Sequence, residues 1–456
     1  MTGLFKFNNS ILFLLGLYIP FVRTFTQGGH SVANLQQLAF LLVIYFFAIV
    51  KNSSLNINNS EYVKSPITKY LILFYVMGII STFFAENLDL AAEELFYNLQ
   101  FLTIYLILSY VTFYEGAVKA IYKGLLLGFL LAMFIGLMQY LGVPGFSIFS
   151  ADELNQNTLY VSDDALINVV RIWGPFGNAL TFSEYLSIAG IILFYYFKYY
   201  KLNRLLAYII LGLTIFGISL TLSRTAFLAL CTAVFLVEFL MATKKRRIIY
   251  TISFVFTIFC LSILLGTLSN NNPIISRLME SQSDFKHGRL DLWLTGFKVL
   301  ADMPFFGAGP GNLNIEMHHH GWSFLNRKAI TQVSGHVENY YLTVLFTWGI
   351  VGFIFYLCFM YSYFKAATCV FFAAFKYNKE AFRITVPLLG GFVCFAINNI
   401  TNPVLVADQR IQLLFIMLLV IINAYYKNYI ADKANDAKEK QMEIKRGLDA
   451  QKLIQV

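Results

Sequence analysis

Apolar runs of about 18 to 25 residues, separated by shorter polar stretches, recur along most of the chain. That length carries a helix across a hydrocarbon layer of roughly 30 Å. A helix also satisfies its own backbone there, which an open strand cannot do. The runs centre near Phe13, Leu41, Tyr75, Ile104, Leu131, Ile191, Leu213, Phe235, Phe256, Ile350, Gly391 and Met417. They predict an all-α, polytopic integral membrane protein with about 12 transmembrane helices. The first run follows Lys6 and leads into "PFVRTFTQGGH", which offers no small-residue cleavage site, so it is expected to be retained rather than removed as a signal.

Composition supports lipid as the solvent. Of 456 residues, 58% are hydrophobic and 13% charged, too few polar groups to clothe a water-soluble body of this size. The net charge of +9 is spread over short connections and gathers on no single domain, which argues against a nucleic-acid partner. Its placement reads instead as topology. Lys119 and Lys123, Lys198, Lys244 to Arg247, and Lys365 with Lys376 and Lys379 fall in alternate connections that the positive-inside bias places in the cytoplasm, together with both termini. Cys231, Cys260, Cys358, Cys369 and Cys394 lie in or beside apolar runs without metal-type spacing, so neither a disulfide framework nor a zinc site is expected from them. Residues 1–430 form the expected membrane domain, and 431–456, mixed in charge and poor in aromatics, a cytoplasmic tail.

The opposite face carries two long loops, about 144–181 and 269–335, and long loops concentrate function. They hold basic residues on the side where the charge bias disfavours them: Arg171, Arg277, Arg289 and others, joined by Arg224 in a short turn. Within the second loop Leu290, Trp293, Leu294, Phe297 and Leu300 describe an amphipathic helix lying at the membrane boundary. Pro304, Gly307, Gly309, Pro310 and Gly311 end it in a tight turn. No Lys-Ser/Thr follows these glycines, so the turn is structural rather than nucleotide-binding. "MHHHGW", Met317 to Trp322, has consecutive histidines that cannot all face one ion and no evident carboxylate partner; no metal is expected.

The chemistry collects on this outer rim. A guanidinium fork fits phosphate oxygens in a bidentate way and keeps its charge, so Arg224 and Arg289, with Arg171, form a candidate anion clamp, although an isolated arginine could equally snorkel to headgroups. In "SGHVENYYL", a helix beginning near His336 would hold the imidazole neutral through its dipole and leave it able to accept a proton. Base and clamp together imply transfer chemistry on a lipid-linked diphosphate. His336 and Glu338 diverge by about 200° on a helix, so both can serve one site only if the helix starts after them. Either can be the base. Trp293 is a candidate glycan contact, and Arg277 and Asn339 are further candidate binding residues.

"SRTAFLAL", "GRLDLW…MPFFGAGPGN" and "HVENYYLTVLFTWGIVG", supported by "RIWGPFGN", resemble the O-antigen ligase and O-antigen polymerase family of bacterial membrane glycosyltransferases. The resemblance implies a GT-C-like helical membrane fold with a large periplasmic loop containing amphipathic helices. It also implies inverting, metal-independent and cofactor-free transfer of a glycan from undecaprenyl diphosphate at the periplasmic face of the inner membrane. By this likeness Arg224 and Arg289 would contact diphosphate, Arg171 diphosphate or glycan, and the histidine of "HVEN" would be the base. Family members commonly place that histidine directly before the asparagine, whereas here Glu338 intervenes, which keeps the choice of base open.

The two long loops, suited to holding two glycan chains, favour a polymerase of lipid-linked repeat units, with a chain-length regulator as a conceivable partner. A ligase moving polysaccharide onto lipid A-core is the alternative. A lipid-linked glycan transporter fits less well, because the span centres are nearly free of charge.

Overall fold

The computed structural model describes residues 2–22, 65–109, 115–146, 159–162, 165–168, 171–199, 204–252, 290–321, 337–377, 379–401, 408–427 and 429. The helices are α1 (Thr2–Tyr18), α2 (Pro66–Thr82), α3 (Leu88–Ser109), α4 (Glu115–Tyr140), α5 (Ala179–Tyr199), α6 (Arg204–Thr221), α7 (Arg224–Met241), α8 (Leu290–Asp302), α9 (Leu313–His319), α10 (Tyr340–Tyr377), α11 (Lys379–Asn398) and α12 (Gln409–Lys427). Among the described residues, seven segments, those of α4 to α7 and α10 to α12, are long and apolar enough to cross a membrane. The chain is thus a polytopic, helical membrane protein. Runs near Phe13, Tyr75 and Ile104 also fall on helices, α1, α2 and α3, while those near Leu41 and Phe256 lie outside the described residues.

One departure from an all-α fold is a two-stranded antiparallel hairpin, β1 (Leu159–Ser162) and β2 (Ala165–Asn168), with Ser162 paired to Ala165. The strands, LYVS and ALIN, are short apolar runs on either side of an Asp-Asp step in the sequence.

Apolar all round, α5 is buried along nearly its whole length from Thr181 to Phe197 and is packed by α6, α7 and α11. The outer helices instead leave large apolar side chains uncovered, among them Tyr208 and Phe216 on α6 and Leu228 on α7, as lipid contact requires.

The amphipathic helix expected in the second loop is α8, and the glycine-rich turn after it has an unexpected role. Gly349 interrupts α10 with φ 68° and ψ −175°. The turn inserts at this break: the Ala308 and Gly309 N–H groups donate to Phe346 O and Thr347 O at 2.9 Å each, and the Ile350 N–H donates to Pro304 O at 2.9 Å. Backbone freed by the break is thereby paired, the condition for irregular chain at membrane depth. Ser81 Oγ, on the last turn of α2, closes the joint by donating to Phe306 O at 2.6 Å.

Candidate functional site

The two ends of the bundle carry different polar groups. At one end Lys198 on α5 meets Glu238 on α7 at 2.5 Å, next to the Lys244–Arg247 cluster in sequence. The outer-loop residues assemble at the other.

Arg224 opens α7 and is exposed. Ser223 caps this helix, its Oγ accepting from Ala226 N–H at 3.4 Å. A cation at a helix N-terminus opposes the dipole, and a guanidinium beside the N-terminal turn of α7 favours an anion at this corner. Arg171 docks on the same turn. Its Nε donates to Thr221 O at 2.9 Å and the Ile172 N–H to Leu220 O at 3.3 Å, so the outer loop is laid across the α6–α7 connection three residues before Arg224. The two terminal nitrogens of Arg171 meet no acceptor among the described residues.

A chain of contacts leads from this turn to the start of α10. Thr225 Oγ1 lies 2.8 Å from Thr401 Oγ1, and two residues before Thr401 the carbonyl of Asn399 accepts from Tyr340 N–H at 2.8 Å. The helix begins at Tyr340 rather than near His336, which corrects the sequence expectation and removes the direct dipole argument for a neutral His336. The cause is Asn339. Its Oδ1 accepts from Leu342 N–H at 3.0 Å and its carbonyl from Thr343 N–H at 2.9 Å, a buried N-cap of the kind worth about 1 kcal/mol. Asn339, a candidate binding residue, therefore has a positioning role in the fold. Because α10 starts after Glu338, the 200° objection to a shared site for His336 and Glu338 no longer applies.

Glu338 itself has φ 47°, and Leu222, two residues before Arg224, has φ 57°. They are the non-glycine residues with left-handed backbone among those described. Such strain costs on the order of 1–3 kcal/mol and gathers where geometry serves function. Both instances flank this one rim.

Trp293, one turn into α8, donates from Nε1 to Val337 O at 2.8 Å and so ties the boundary helix to the residue beside Glu338. The candidate glycan contact is thus also a brace. Arg277, Arg289, Trp322 and His336 lie outside the described residues, although Arg289 directly precedes α8 and His336 directly precedes Val337 in sequence.

Two groups escaped the sequence reading. Arg410, at the start of α12, is buried; its Nε donates to Asp408 at 2.8 Å, its Nη atoms to Pro175 O and Phe176 O at 2.8 Å each, and its guanidinium lies 4.2 Å from the Phe176 ring centroid. It fixes the "GPFG" turn that leads into α5. Its donors are spent on the protein. The rule that singled out outer arginines also applies to Arg410. The second group is around "MHHHGW": the carboxylate of Glu316, which directly precedes this motif on α9, and that of Glu86 from the α2–α3 connection both approach His319, so a carboxylate partner is present after all. Burial, and then the neighbouring Glu86 carboxylate, push the Glu316 carboxyl above the usual range.

No curated protein matches the chain. The sequence model of the family described as O-antigen ligase matches residues 206–357. That stretch runs from α6 into α10 and takes in Arg224, Arg277, Arg289, Trp293, His336, Glu338 and Asn339, while Arg171 precedes it. Over this third of the chain the sequence is similar to the O-antigen ligase family.

Proposed function

We propose that the protein transfers a glycan from undecaprenyl diphosphate to an acceptor hydroxyl at the periplasmic face of the bacterial inner membrane, and that it acts as a ligase with lipid A-core as acceptor. The hydrogen-bonded path from Arg171 through the α6–α7 turn, Thr401 and Asn399 to the start of α10 supports this reading, because it gathers an exposed arginine, a second arginine whose terminal nitrogens meet no acceptor among the described residues, and a strained carboxylate on one rim. The description of the matched family favours the ligase over the polymerase.

In this mechanism the acceptor oxygen attacks the anomeric carbon from the face opposite the diphosphate. The bond from that carbon to the diphosphate oxygen breaks with inversion, and the electron pair leaves on the diphosphate. Arg224, Arg171 and Arg289 stabilise the charge gained there. His336 or Glu338 takes the hydroxyl proton. The protein supplies orientation and charge, with no metal or organic cofactor in the transfer step.

Purified protein in nanodiscs with lipid-linked glycan and lipid A-core is expected to form product without ATP or an ion gradient. Arg224→Gln should lower kcat by about 10²–10³. Because Arg224 is exposed, its thermal midpoint should stay at the parent value. A full rate in Arg224→Gln removes the clamp. Separate His336→Ala and Glu338→Gln variants assign the base, since full activity in either excludes that residue. The polymerase remains a second reading on the strength of the two long outer loops. A deletion strain separates the two: naked lipid A-core with accumulated lipid-linked polymer marks a ligase, and surface lipid bearing one repeat unit marks a polymerase.

A further inference from the structure

The Glu86, Glu316 and His319 side chains converge where the α2–α3 connection meets α9. Their ligand atoms all lie within 4.8 Å of one another. His319 Nδ1 is 3.6 Å from Glu86 Oε2 and 3.9 Å from Glu316 Oε2. Ligands about 2.0–2.1 Å from a tetrahedral ion stand roughly 3.3 Å apart. The two histidine–carboxylate gaps exceed that spacing by about 0.3 and 0.6 Å, and the widest separation in the cluster by up to about 1.5 Å, within reach of side-chain rotation in Glu86 and His319.

Two features distinguish the cluster from acidic side chains on a solvated surface. Glu316 is only 7% exposed, yet its carboxylate faces that of Glu86. Like charges held together at a half-buried site call for a cation. The scaffold is also fixed independently of any ion. Asn312, fully buried at the start of α9, accepts from Asn87 N–H at 2.7 Å and donates to Asn87 O at 3.0 Å, which sets Glu86 against the α9 face carrying Glu316 and His319 at i, i+3. The objection raised by consecutive histidines also falls away. His320 turns to Asp302, with Nε2 and Oδ2 3.0 Å apart, and leaves His319 to supply the one imidazole.

We propose that Glu86, Glu316 and His319 bind one divalent transition-metal ion of the Zn2+ class, which clamps the α2–α3 connection to the outer loop. An imidazole nitrogen with two carboxylate oxygens selects such an ion over Mg2+ or Ca2+, which prefer oxygen alone. Two carboxylates neutralise its charge. The exposed sides of Glu86 and His319 provide entry and leave a position for water. None of the three residues belongs to the proposed transfer machinery, so the inference stands or falls apart from the glycan-transfer reading.

The test uses full-length protein in detergent, purified through a tag without histidines and stripped with chelator. Isothermal titration with ZnCl2 is expected to show one ion per chain with a micromolar or tighter Kd, and Zn2+ should raise the thermal midpoint. Glu86→Gln and His319→Ala, both at exposed positions, should each weaken binding at least tenfold and abolish the midpoint shift, while His318→Ala changes neither. MgCl2 should bind at least 100-fold more weakly than ZnCl2. No saturable binding up to 1 mM Zn2+ overturns the proposal. So does undiminished affinity in both Glu86→Gln and His319→Ala, which would mark adventitious binding elsewhere.

Discussion

Replacing Gly349 with alanine is expected to cost the fold more than about 3 kcal/mol, through backbone strain plus buried donors and acceptors left unpaired. The φ of 68° and ψ of −175° belong to a region that only glycine adopts readily. A Cβ at this position would stand 2.3 Å from Phe305 O. Relief requires the 304–309 turn to withdraw, and with it go the bonds from Ala308 and Gly309 to α10 and from Ile350 to Pro304. In lipid those groups find no water to replace them. The checks are the yield of monodisperse protein in mild detergent and its thermal midpoint. Both should fall sharply, and parent values for both would show that the break in α10 is not required.

Arg410→Met should destabilise the protein by about 3–5 kcal/mol, the usual result of removing one partner from a buried ion pair. Asp408 would remain buried without its counter-charge, and the Pro175 and Phe176 carbonyls would lose their donors. Adding Asp408→Asn to Arg410→Met should recover part of the loss by removing the stranded charge. Arg410→Lys is expected to fall between parent and Met, because an ammonium cannot span the carboxylate and both carbonyls in a planar fork. Thermal midpoints of the four proteins in one detergent decide the matter. If Arg410→Met melts with the parent, the pair does not hold the turn that feeds α5.

Much of the architecture was legible because lipid imposes a simple demand: the runs near Ile191, Leu213 and Phe235 had to be helices, and α5, α6 and α7 are. The sorting of charge was legible for the same kind of reason. Lys198 and Glu238 meet at one end, while Arg171 docks three residues from Arg224 at the other. The break at Gly349 was hidden, since one glycine inside a continuous apolar run has no hydropathy signature and its cause is a turn some 40 residues earlier in the chain. The glycine-rich turn was read correctly as structural, but its target was not in view. Long-range pairing hid the rest. Arg410 reaches carbonyls 235 and 234 positions away, and Glu86 reaches His319 across a comparable span, so neither leaves a local motif. The β1–β2 hairpin leaves only a weak local signal, an Asp-Asp step between two four-residue apolar runs, beside which the membrane-length runs dominate the pattern.

The rim bearing Arg171 and Arg224 is proposed to grip a polyprenyl diphosphate. The most direct test is the affinity of nanodisc-embedded protein for undecaprenyl diphosphate, measured beside undecaprenyl monophosphate and beside Arg171→Gln and Arg224→Gln. The account expects the diphosphate to bind more tightly than the monophosphate, and each substitution to erase at least tenfold of its affinity, about 1.4 kcal/mol. Equal affinity for the two lipids, unchanged by either substitution, would contradict it.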